Sequence, residues 1–106
     1  MAVVEVAVEE LRMALARGAT LIDVREAHEY EAGHVAEAVL IPLGTVPDRV
    51  DAFRATGPAY VICRSGVRSL RACEYLAQHG VEAINVAGGM LAWIDLGQTV
   101  VQGSVL

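Results

Sequence analysis

Five short apolar runs, each followed by a stretch of helical or turn character, recur along the chain, and this alternation restricts the fold more than any other feature. Val3-Val4-Glu5-Val6 is rich in β-branched residues and passes directly into Val8 to Arg17, where Val8, Leu11 and Leu15 recur at helical spacing until Gly18. Thr20 to Val24 is too short for a helix and leads into the polar segment Arg25 to Glu31, punctuated by Gly33. Val39-Leu40-Ile41 reads as a third strand ending before Pro42. Thr45 and Asp48 then have the spacing of a capping box, which predicts a helix through Val50 and Phe53 with Pro47 in its first turn. Beyond Gly57-Pro58 the fourth strand is Ala59 to Ile62, followed by a helix from Ser69 to His79 that Gly80 closes. Ala83 to Val86 is the fifth strand, and Gly89 to Leu96 one more short helix before a tail from Gln98. Strands that alternate with helices and are apolar on both sides describe a parallel sheet covered on each face, so the expected class is α/β.

At 106 residues there is room for one domain. Apolar residues make up 55% and charged residues 20%, a balance that supports a sizeable core and excludes a disordered chain. Charges or glycines interrupt every apolar run before the roughly 18 residues that a membrane span requires. The N-terminus lacks the basic and apolar regions of a secretory signal, which makes the cytoplasm the expected location. A net charge of -5 repels nucleic acid and anionic lipid, so neither is an expected partner. All eight basic residues are Arg, and Arg64, Arg68 and Arg71 share one short stretch, where a small-anion site is to be sought.

Ligands of open α/β sheets sit beyond the carboxyl ends of the strands, which directs attention to Asp23 to Arg25 and to Cys63 to Ser69. The second segment, Cys63-Arg64-Ser65-Gly66-Val67-Arg68-Ser69, places a thiol at a strand end and a tight turn, permitted by Gly66, ahead of a helix. Such a turn aims several backbone N–H groups and the positive end of the helix dipole inward, forming an anion cradle with Cys63 at its centre. That field, with Arg64 and Arg68, favours the nucleophilic thiolate. An inert buried cysteine before an ordinary turn is the alternative, and two Arg and two Ser around a Gly argue against it. Cys73 shares a helical face with Leu70, Leu76 and Ala77 and is expected to pack against the sheet. His28 and His34 lie among polar turn residues without a third ligand, so they are expected to be solvated or turn-stabilising, and neither a metal nor a cofactor is expected.

The Cys63 loop, Asp23-Val24-Arg25-Glu26 with Glu29-Tyr30 and Gly33-His34-Val35, the Ile41-Pro42 step, and Val86-Ala87-Gly88-Gly89 with Trp93 together resemble the rhodanese homology domain. The resemblance runs from about Val3 to Val101, and the Val-rich end from Thr99 to Leu106 reads either as a loose tail, with 102–106 outside the core of the domain, or as an extra edge strand. It implies one small domain around a central, mainly parallel five-stranded sheet, and sulfurtransferase activity through a cysteine persulfide. Residue by residue it makes Cys63 the sulfur carrier and Arg64, Ser65, Gly66, Val67, Arg68 and Ser69 the loop that cradles the persulfide. Asp23 and Arg25 match positions beside that loop held by ion pairs, with contact between Arg25 and substrate left open. Gly33-His34 and Gly88-Gly89 correspond to turns, and Trp93 to packing of the last helix.

The expected reaction is a two-step exchange. The Cys63 thiolate takes the outer sulfur of a donor such as thiosulfate, and cyanide, a thiol or a sulfur-acceptor protein then removes it. Arg64 and Arg68 would bind the oxygens of the donor, and the inward N–H groups would stabilise the persulfide. A sulfur-relay or docking module serving one protein partner in cofactor or thionucleoside synthesis is the alternative of a different class. A cysteine phosphatase or arsenate reductase is the remaining alternative, but those loops place one residue more between Cys and Arg and carry a His where Ile62 stands.

Overall fold

The computed structural model describes residues 2–54 and 57–104. Five strands, β1 (Val4–Val6), β2 (Leu21–Asp23), β3 (Ala38–Leu40), β4 (Ala59–Ile62) and β5 (Ala83–Val86), form one sheet in the order β1-β5-β4-β2-β3. Every pairing in it is parallel. Four helices, α1 (Val8–Ala16), α2 (Ala27–Ala32), α3 (Val67–Gln78) and α4 (Gly89–Asp95), complete the α/β alternation read from the sequence.

Side chains alternate across a strand, so a sheet that is apolar on both faces must be covered twice. On one face Ile22, Val24, Val61, Cys63 and Ala83 pack with Ala72, Cys73 and Leu76 of α3 and with Val46 and Phe53. On the other, Leu21, Ile62 and Val86 pack with Val8 and Leu11 of α1, Tyr30 of α2, and Met90 and Trp93 of α4. Cys73 is thus a core residue, and Trp93 packs the last helix.

Three expectations change or narrow. The helix predicted through Val50 and Phe53 is instead two 3₁₀ segments, Leu43–Asp48 and Val50–Phe53. The Thr45 hydroxyl donates backward to the Pro42 carbonyl at 2.8 Å instead of capping forward. Pro47 also removes an N–H from within the first segment, and each segment buries a single side chain, Val46 or Phe53, too little apolar stripe to drive a full α-helix. Of the two roles expected for the histidines, His34 has the turn-stabilising one and is 6% exposed: its ring stacks on Tyr30 at 3.6 Å and its Nδ1 lies 2.7 Å from the Tyr30 carbonyl oxygen, whereas His28 is exposed. The tail is neither loose nor a sixth strand of the sheet. Val101 exchanges two backbone hydrogen bonds with His34, both at 2.9 Å, and Trp93 Nε1 donates to the Thr99 carbonyl at 3.2 Å, so the tail closes over the Gly33-His34 turn. Residues 105–106 lie outside the described residues.

Candidate active site

Strands β2 and β4 are neighbours in parallel, with Asp23 opposite Ile62, so the segments that follow them leave the same edge of the sheet side by side. The two strand-end segments singled out by sequence therefore meet. Gly66, at φ 102°, takes the left-handed conformation that turns the chain into α3, and the helix begins at Val67, two residues before the sequence pattern suggested.

Cys63 is 1% exposed at the floor of this turn. The Gly66 N–H donates to its Sγ at 3.1 Å and the Ser69 hydroxyl at 3.3 Å. Burial pushes the thiol up, but the Ser69 hydroxyl and the backbone N–H groups of Ser69, Gly66 and Ser65 outweigh it and leave Cys63 below the ordinary thiol range. The stabilisation of the thiolate thus comes from the cradle itself. Cys73 has no such donors among the described residues: burial, then the nearby Glu5 and Glu74 charges, push it up to about 12. Alkylation by iodoacetamide is accordingly expected at Cys63 alone, with a pH midpoint below that of a free thiol. Ser69→Ala removes one donor to the charged form and should move that midpoint upward. An unchanged midpoint would refute the role of the hydroxyl.

The carbonyls of Cys63, Arg64 and Gly66 are engaged by donors away from the sulfur. The Met90 N–H donates to Cys63 O at 2.8 Å and the Leu91 N–H to Arg64 O at 3.1 Å, so the first turn of α4 holds the loop from behind. Gly66 O accepts from the Leu70 N–H and from Asn85 Nδ2, each at 3.2 Å. Asn85 is fully buried in β5, its Nδ2 also donates to Glu5 Oε2 at 2.7 Å, and its Oδ1 has no hydrogen-bond partner among the described residues. The sequence signal for this support, absent from the candidate residues above, is a polar side chain in the otherwise apolar run Ala83 to Val86.

Asp23 and Arg25 form a buried ion pair, with Arg25 Nη2 2.8 Å from Asp23 Oδ2 and Nε 3.0 Å from Oδ1. Arg25 Nη2 also donates to the Gly33 carbonyl at 2.8 Å, so this guanidinium is committed to the protein interior and ties the strand end to the Gly33-His34 turn. Removing one partner would leave an uncompensated buried charge, at a cost of about 3–5 kcal/mol.

The two arginines of the loop have different fates. Arg68 makes a two-pronged ion pair with Glu29 of α2, Nη1 to Oε1 at 2.7 Å and Nη2 to Oε2 at 2.8 Å. The hydrogen bonds from Arg68 hold the Glu29 carboxyl down at about 2, against a smaller opposing effect of burial. The folded-state value lies below the ordinary one, so the pair is intact at neutral and mildly acid pH and is lost only as the pH falls toward about 2. The Arg64 side chain is exposed, and its guanidinium makes no hydrogen bond or ion pair with the described residues. Ser65 and Val67 are exposed beside it. Of the two guanidinium groups expected to share the donor oxygens, one is therefore already occupied. Glu29, part of a sequence motif but not read as a site residue, is what occupies it.

The rhodanese-like domain family model matches residues 7–96. A sulfurtransferase of Allochromatium vinosum is 33% identical over 91 residues, covering 85% of each chain. A rhodanese-like domain protein from Staphylococcus aureus superimposes with a TM-score of 0.84 at 35% identity over 95% of this chain and 99% of that one. A rhodanese-related protein from Thermoplasma volcanium gives a TM-score of 0.86 at 30% identity, over 94% and 99% of the two chains. A parallel sheet in this order, a cysteine held by N–H donors at the end of its central strand, and a family match over most of the length agree: the chain belongs to the rhodanese-like domain family of sulfurtransferases.

Proposed function

We propose that this chain carries sulfane sulfur on Cys63, taking it from a donor for which thiosulfate is the simplest probe and passing it to cyanide or a thiol. The observation that carries this reading is the donor set on the Cys63 sulfur: the Gly66 N–H at 3.1 Å and the Ser69 hydroxyl at 3.3 Å, at the N-terminus of α3. Those groups favour the attacking thiolate before transfer and the anionic persulfide after it. In the first step the thiolate forms a bond to the outer sulfur of thiosulfate, the S–S bond of the donor breaks, and sulfite leaves with the electron pair. In the second, the acceptor attacks that same sulfur and the Cys63 thiolate leaves. Four residues separate Cys63 from Arg68, a span that suits a single sulfur atom better than a phosphoryl group.

The test is mass spectrometry after incubation with thiosulfate, run beside turnover assays with cyanide and with a phosphate ester. One added sulfur on Cys63, lost when cyanide is supplied, with continuing release of thiocyanate, is the expected result. Loading with negligible release would favour the relay module instead. Phosphate-ester hydrolysis without loading would overturn the reading.

A further inference from the structure

The pairing of Arg68 with Glu29 changes the charge that a donor meets at the mouth of the loop. Arg68 gives both of its terminal nitrogens to the Glu29 carboxylate, at 2.7 and 2.8 Å, and Arg25 is committed to Asp23 and to the Gly33 carbonyl. The Arg64 guanidinium is exposed and unpaired among the described residues, and Arg71 lies a further helical turn along α3, on its exposed side. Among the described residues, the guanidinium groups of Arg25 and Arg68 are thus each cancelled by a carboxylate, and that of Arg64, the residue after Cys63, is not. The whole chain, moreover, has a net charge of -5.

Thiosulfate is a dianion, so its attack by a thiolate gathers three negative charges at this mouth. The attack on a neutral hydropersulfide, R–S–SH, gathers one. In that reaction a bond forms between Cys63 Sγ and the outer sulfur, the S–S bond of the donor breaks, and its electron pair leaves on R–S⁻. The proton of the outer sulfur passes to the departing thiolate, leaving Cys63 as the persulfide anion in the cradle, with no net oxidation or reduction.

We propose that Glu29, by holding Arg68, sets the donor selectivity of this site, disfavouring doubly charged donors such as thiosulfate relative to small organic hydropersulfides with little net charge. The inference rests on the sulfur-transfer reading of Cys63. Glu29 is a specificity-determining residue that acts through Arg68, and it does not touch the reacting atoms. A freed, partly exposed guanidinium beside an anionic donor changes affinity by about fivefold, and salt screens the effect.

The experiment compares the wild-type protein with Glu29→Gln, using thiosulfate and cysteine persulfide as donors at low and high ionic strength. Wild type should load faster from cysteine persulfide. The amide in Glu29→Gln keeps the shape but not the charge, and should raise kcat/KM for thiosulfate by about fivefold, with the gain eroded by salt and cysteine persulfide little affected. Equal losses with both donors, accompanied by a higher pH midpoint for Cys63 alkylation, would assign Glu29 to loop shape alone and overturn the proposal. No change with thiosulfate would do the same. Arg64→Ala provides an independent measurement that leaves the Glu29–Arg68 pair in place: it should weaken thiosulfate loading more than persulfide loading, and equal effects on the two donors would count against charge selectivity. If neither donor adds sulfur to wild-type Cys63, the sulfur-transfer reading itself falls, an outcome distinct from loading that is indifferent to donor charge.

Discussion

Cys63→Ser is expected to remove sulfur transfer altogether, with turnover falling on the order of a thousandfold or more, while the fold is retained. The substitution is nearly isosteric, and the oxygen would still accept from the Gly66 N–H and the Ser69 hydroxyl that now surround the sulfur. What it lacks is a low proton affinity: the cradle that draws a thiol below its ordinary range cannot bring a hydroxyl within reach of neutral pH. Nor can an alkoxide form the exchangeable S–S bond that the cycle requires. Cys73→Ser should behave in the opposite way. Cys73 lies in the core among Ala72, Leu76 and Val61, without donors among the described residues, and is pushed up to about 12, so it contributes packing and not chemistry. Placing a hydroxyl there is expected to cost about 1–3 kcal/mol in stability and to leave transfer intact below the melting temperature. Mass spectrometry after donor treatment gives the decisive comparison, because sulfur found on Cys73 in the Cys63→Ser variant would sink the assignment.

The contrast between these cysteines was legible in the sequence because it depends on local features: one thiol ends an apolar run before a glycine turn, and the other repeats with leucines at helical spacing. The sheet was legible for a similar reason. Apolar runs too short for helices, separated by helical segments, admit few arrangements, and the parallel order follows from the crossovers. What escaped the reading is non-local. Arg68 and Glu29 stand 39 positions apart, and nothing about Arg68 in its own loop indicates that its charge is already spent. Asn85 and Glu5 are 80 positions apart, and their contact exists only because β1 and β5 are neighbours in register. The 3₁₀ segments failed differently. Thr45 and Asp48 have the spacing of a capping box, yet the Thr45 hydroxyl found the Pro42 carbonyl first, a local competition that side-chain type alone does not decide.

Gly89 joins the fold to the chemistry, and Gly89→Val should be among the most damaging substitutions outside the loop itself. The residue has φ +55°, where a β-branched side chain is strained whatever the space, and here there is none: a Cβ would lie 2.4 Å from Cys63 O and 2.6 Å from Arg64 O. Those carbonyls receive the Met90 and Leu91 N–H groups at 2.8 and 3.1 Å, so α4 cannot withdraw to make room without breaking the bonds that engage them away from the sulfur. Backbone strain and the clash together are expected to cost about 3 kcal/mol or more. That is a large share of the roughly 5–15 kcal/mol that stabilises a domain of this kind. Gly18→Val provides the comparison, since Gly18 has a similar φ of +87° but nothing within 4 Å of its Cβ position, and it carries the backbone strain without the collision. Thermal melting should therefore separate the two variants by several degrees. Cys63 alkylation should separate them again, with the pH midpoint raised in Gly89→Val, where the loop is pushed out of shape, and unmoved in Gly18→Val. If both variants melted together and both kept the wild-type alkylation profile, the close approach of α4 to the loop carbonyls would not be what holds the cradle in place.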